Sequence, residues 1–201
     1  MSGGAPEGAG GGGRVVLLVR HSVPEIVSDA PARTWRLSAE GHRRCAGLAA
    51  RLAPYAPVAI VSSVEPKAAE TAALVAAHLG LHATTQRGLH EHERERVGWL
   101  GHDAFQAAVA AFFARPDDLM LGNETATQAR ARFGAAVERA LAAHPAGNLT
   151  IVAHGTVIAL FVAHAAGIEP LPFWRRLGIP AFVALEWPTG TLRETVYEVA
   201  K

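Results

Sequence analysis

Two short apolar runs constrain this chain most, because each is delivered straight onto a histidine. Val15-Val16-Leu17-Leu18-Val19 leads into Arg20-His21, and Leu149-Thr150-Ile151-Val152-Ala153 leads into His154-Gly155. Short β-branched and aliphatic runs of this kind read as strands covered on both faces, the pattern of parallel sheets in α/β proteins. In open α/β sheets the ligand sits beyond the carboxyl ends of the strands. Two strands that end in histidine, one of them with an arginine beside it, suggest a site built for an anion.

The rest of the chain alternates. Ser38 is placed to cap a helix running to about Leu52. Val58-Ala59-Ile60-Val61 reads as a buried strand, followed by Ser62-Ser63. Pro66 opens a helix whose apolar face is Ala68, Ala72, Val75 and Leu79, and Gly80 closes it. A short strand near 82–86 follows. The charged stretch from Gly88 to Gly101 reads as loop. Helices are expected over His102–Ala114, Glu124–Ala143 and 156–166, and two final strands over Phe182–Trp187 and Leu192–Val199 around a tight turn. Strands alternating with helices give a three-layer α/β architecture.

The 201 residues make one domain the default expectation. A net charge of +1 offers no reason to expect nucleic acid or an acidic membrane surface as partner. Cys45 is the only cysteine, which rules out an internal disulfide and a Cys-based zinc site and fits a reducing, cytoplasmic setting. Its Ala-rich surroundings mark it as a small helix residue rather than a nucleophile. Residues 1–13 are rich in Gly and Ala and read as a disordered tail, not a signal peptide. The stretch 149–166 is apolar but contains His154, Gly155 and His164, so it reads as strand, turn and buried helix, and no membrane span is expected. Asn123-Glu124-Thr125 and Asn148-Leu149-Thr150 match the glycosylation sequon by chance on that reading. Ten histidines raise the question of a metal, but no His-Glu-x-x-His or comparable spacing supports one.

Six blocks in order resemble the histidine phosphatase superfamily, the phosphoglycerate mutase-like family. They are Val19-Arg20-His21-Ser22; Leu37-Ser38-Ala39-Glu40-Gly41; Ser62-Ser63 with Lys67 and Thr71-Ala72; Leu89-His90-Glu91; Gly122-Asn123-Glu124; and Val152-Ala153-His154-Gly155. The resemblance implies a three-layer sandwich with a central, mostly parallel sheet, over a single domain spanning 14–201. Two positions depart from the family pattern. Ser22 stands where the family has glycine, which asks whether the backbone there needs positive φ. Lys67 stands where the second basic residue is usually arginine; only it and Lys201 are lysines among the nineteen Lys and Arg. An ammonium neutralises phosphate but lacks the planar fork of guanidinium.

The chemistry implied by the resemblance is phosphoryl transfer to His21 and then to water, through a phosphohistidine. Arg20, Lys67, His154 and Gly155 would bind the phosphoryl group, His154 being protonated when phosphate is bound. Glu91 would act as general acid and then base, a double role that needs a carboxyl titrating nearer neutrality than the ordinary value of about 4.3. Glu93, two residues on in a charge run, is the competing acid. Trp99, Phe105, Phe112 and Phe113 either shape the pocket or pack the core. No cofactor or metal is implied, and the partner is a small phosphorylated substrate; the oligomeric state is not legible. The expected activity is a metal-independent phosphatase of small phosphate monoesters. A phosphoglycerate-type mutase and a phospho-ligand binding protein with little turnover are the alternatives.

Overall fold

The computed structural model describes residues 13–94, 97 and 100–199. Apart from Gly13, the expected tail lies outside them, as does Trp99. Six strands form one sheet: β1 (Arg14–Arg20), β2 (Pro57–Ser62), β3 (Ala83–Thr85), β4 (Asn148–Ala153), β5 (Ala181–Trp187) and β6 (Leu192–Val196). Their order across the sheet is β3-β2-β4-β1-β5-β6. The first four are mutually parallel, and β5 and β6 are added antiparallel. Six helices cover the sheet: α1 (Ala39–Leu52), α2 (Pro66–Leu79), α3 (His102–Ala114), α4 (Ala126–Ala143), α5 (Gly155–Ala166) and α6 (Pro170–Arg176).

Strand β1 shows why the fold has three layers. Successive side chains of a strand point to opposite faces, and both of its faces are apolar. Val15, Leu17 and Val19 join a core with Cys45, Leu48 and Leu52 of α1 and Val75 of α2. Val16 and Leu18 join the opposite core with Phe112 of α3, Phe133 and Val137 of α4, Val157 of α5 and Phe173 of α6.

The helix ends follow the local chemistry. The Ser38 hydroxyl accepts from the Gly41 N–H at the start of α1, and Gly80 closes α2 at φ 68°. Helix α4 starts at Ala126 because Thr125 and Gln128 form a reciprocal capping box. Helix α6 is absent from the sequence reading. At seven residues, opened by Pro170, it is too short to display a helical period. Among the described residues no helix is long and apolar enough to cross a membrane.

Candidate active site

The register of the sheet brings the two histidines together. Strands β1 and β4 are parallel neighbours with Arg20 opposite Ala153, so the next residue of each, His21 and His154, leaves the same edge. The His21 N–H donates to the Ala153 carbonyl at 3.0 Å, and the two imidazole centroids lie 5.2 Å apart. On the other side of β4, Ser62 of β2 pairs with Val152, and the Ser63 N–H donates to the Val152 carbonyl at 2.9 Å. The Ser63 hydroxyl therefore meets His154 Nε2 at 2.9 Å.

His21 is oriented from behind. Its Nδ1 lies 2.8 Å from the Ser22 carbonyl, an acceptor, so Nδ1 carries the proton and Nε2 presents a lone pair. Burial above all, then the charges of His154 and Lys67, hold this imidazole well below the ordinary histidine range. The ring is therefore neutral at neutral pH. His154 is depressed in the same way, by burial and then by Lys67.

The motif residues around His21 act through its backbone. The Thr71 hydroxyl accepts from the Ser22 N–H at 2.9 Å, and the Ser22 hydroxyl donates to the Gly41 carbonyl at 2.8 Å. Ser22 is fully buried and does not adopt positive φ; among the described non-glycine residues only Ala56 does. The departure from glycine thus costs no backbone strain. Gly41 is required for a different reason: a Cβ there would stand 2.1 Å from the Val23 carbonyl oxygen. Cys45 donates to the Gly41 carbonyl, and burial pushes its thiol up to about 11, so it is an unreactive packing residue.

Four positive or ionisable groups converge beyond the sheet edge. Arg20 donates through one terminal nitrogen to the Leu177 carbonyl, while its buried Nε has no acceptor among the described residues. Gly155 permits this placement, since a Cβ would approach the Arg20 guanidinium to 2.9 Å. Lys67 is 5 % exposed and donates to the Ala32 carbonyl at 2.7 Å and to Glu65 Oε2 at 2.5 Å.

The structure separates the two candidate acids. Glu91 reaches the N-terminus of α5, where its carboxylate accepts from the Thr156 N–H at 3.1 Å and the Val157 N–H at 3.2 Å. Glu93 turns away and pairs with His90 at 3.1 Å. Burial works against ionisation of Glu91, but Arg94, His154 and the N–H groups of His92 and Thr156 outweigh it. The carboxyl is held well below the usual carboxylate range, opposite in direction to what a resting general acid needs. Glu124 orders this loop instead of facing the pocket: it accepts from the Glu93 N–H at 3.0 Å and pairs with Arg132 at 2.5 Å.

Two charged residues near the histidines were not singled out in the sequence. Glu65, 8 % exposed, lies between Lys67, His154 and the Glu91 backbone. Arg94, 4.9 Å over the Phe105 ring, acts on Arg20, Glu91 and His154. No signal in the sequence separated Arg94 from its charge run, and Glu65 occupies an unassigned position inside the Ser62–Lys67 block. Phe112 and Phe113 are core residues. Among the described residues no three His, Cys, Asp or Glu side chains converge in a way that could hold a metal ion.

A parallel-sheet edge that gathers two histidines, an arginine and a lysine, on a chain whose residues 16–194 match the family model, makes this protein a member of the histidine phosphatase superfamily, branch 1. Solved structures of the same fold include mycobacterial glucosyl-3-phosphoglycerate phosphatase, at 22 % identity and a TM-score of 0.72 over 93 % of this chain and 100 % of that one. Bacillus stearothermophilus YhfR is similar at 19 % identity and a TM-score of 0.73, over 94 % and 98 %. Phosphoserine phosphatase from Entamoeba histolytica is similar at 16 % identity and 0.66, over 91 % and 96 %. No curated protein sequence matched the chain.

Proposed function

We propose that this chain is a metal-independent phosphatase that hydrolyses small phosphate monoesters through a phosphohistidine on His21. The observation that carries the reading is the anchored tautomer of His21. With Nδ1 tied to the Ser22 carbonyl, Nε2 keeps a free lone pair, and His154, Lys67 and Arg20 all lie close enough to act on the ring. Nε2 attacks phosphorus and the ester oxygen leaves; water then attacks the phosphohistidine and releases phosphate. Charge spread over the equatorial oxygens is met by Arg20, Lys67, the Gly155 backbone and a His154 that takes up a proton as the dianion arrives. Glu91 protonates the leaving alkoxide and later takes the proton of the attacking water. Its low resting pKa means that the substrate supplies the upward shift: a phosphoryl dianion beside a carboxylate disfavours the ionised form.

The neighbouring structures named for glucosyl-3-phosphoglycerate and for phosphoserine support small monoesters as the substrate class. The single buried cysteine supports a reducing, cytoplasmic setting.

The test is phosphate release from p-nitrophenyl phosphate in excess EDTA, with His21→Ala beside the wild type. EDTA-resistant turnover lost in His21→Ala is expected. Turnover that EDTA abolishes, or that survives in His21→Ala, contradicts the reading.

A further inference from the structure

A carboxylate buried in a pocket for phosphate opposes binding, so Glu65 requires a reason. It stands at the N-cap of α2, yet its side chain does not cap that helix. It turns instead toward Lys67 in the first turn of α2, the loop that carries Glu91, and His154 at the end of β4. Oε2 lies 2.5 Å from Lys67 Nζ, Oε1 accepts from the Glu91 N–H at 2.9 Å, and Oε1 lies 3.6 Å from His154 Nε2. The Ser63 hydroxyl, which meets His154, accepts from the Glu65 N–H at 3.2 Å. One side chain thus touches the second cation, the backbone of the acid and the second histidine.

We propose that Glu65 is a positioning residue that fixes Lys67 and the Glu91 backbone while lowering the pocket's hold on phosphate. The proposal rests on the phosphoryl-pocket reading given above. A lysine ammonium carries three donors on a flexible stem and has no built-in fork. Here the Ala32 carbonyl and Glu65 take two of the three, leaving one for a phosphoryl oxygen. Glu65 supplies the orientation that a guanidinium would carry within itself. It offsets one cation among Arg20 and Lys67, and so favours release of the product anion. Through the Glu91 N–H it also sets where the acid begins.

Direct calorimetric titration with inorganic phosphate reads the pocket whether or not the chain turns over. Removing the charge in Glu65→Gln should tighten phosphate roughly tenfold, while kcat on p-nitrophenyl phosphate falls and KM falls with it. Glu65→Asp keeps the charge but shortens the reach. It should bind phosphate within about threefold of wild type and lose kcat, which keeps the proposal testable if Glu65→Gln fails to fold. Unchanged or weaker phosphate binding in a folded Glu65→Gln overturns it, as does unchanged kcat in Glu65→Asp. Absence of phosphate binding by the wild type overturns the pocket reading itself.

Discussion

The two carboxylates of the pocket differ in what they hold, and that difference sets their expected behaviour. Glu65 binds a cation; Glu91 binds the end of a helix. A general acid matters in proportion to how poor the leaving group is. Glu91→Gln should lower kcat/KM on an alkyl phosphate about a hundredfold more than on p-nitrophenyl phosphate, whose leaving group needs little protonation. Equal losses on both would remove Glu91 from that role. At this scale the histidines, Arg20 and Lys67 were legible because each sits at a strand or helix boundary within a recognisable block. The preference for Glu91 over Glu93 rested on the Leu-x-Glu block alone, because a run of alternating acids and bases carries no periodicity. It is the Glu124–Arg132 pair, thirty residues on, that fixes how the loop lies.

Between elements, the site is held by backbone contacts that single side chains protect. The segment after β1 is clamped between α1 and α2: Ser38 and Gly41 on one side, Thr71 on the other. Gly41→Ala would push a methyl group into the Val23 carbonyl at 2.1 Å, and helix and loop must separate. A loss of about 2 kcal/mol in stability is expected from this overpacking, together with reduced activity because His21 moves. Thermal unfolding and turnover measured on the same preparation check it; a variant as stable and active as wild type would show the clamp to be dispensable. Most elements were legible because apolar runs and caps coincide, as at Ser38 and Pro66–Gly80. Helix α6 and the 3₁₀ turn at Ala32–Thr34 were not, being too short to show a period. That turn nevertheless supplies the Ala32 carbonyl that holds Lys67.

Across the whole molecule, burying His21 and His154 as neutral rings ties stability to pH. Both are depressed, by burial first, whereas in the unfolded chain each takes up a proton near its ordinary value of about 6.5. Below that pH the unfolded state binds protons that the native state refuses. Stability is therefore full above about pH 6.5 and falls as pH drops toward the native values. The midpoint of thermal unfolding should decline between pH 7.5 and 5, and less steeply in His154→Ala. A flat profile would mean that the rings are not held neutral. The sheet order that juxtaposes these rings was not legible in the sequence, since strand pairing across some 130 residues leaves no local trace in the chain.

The most direct measurement is a rapid alkaline quench of the protein turning over a radiolabelled phosphate ester. Label that stays on the wild-type protein in alkali, is released by acid, and is missing from His21→Ala is the expected result. A wild-type protein that releases phosphate without ever carrying label, or a His21→Ala protein that still carries it, would contradict covalent catalysis by His21.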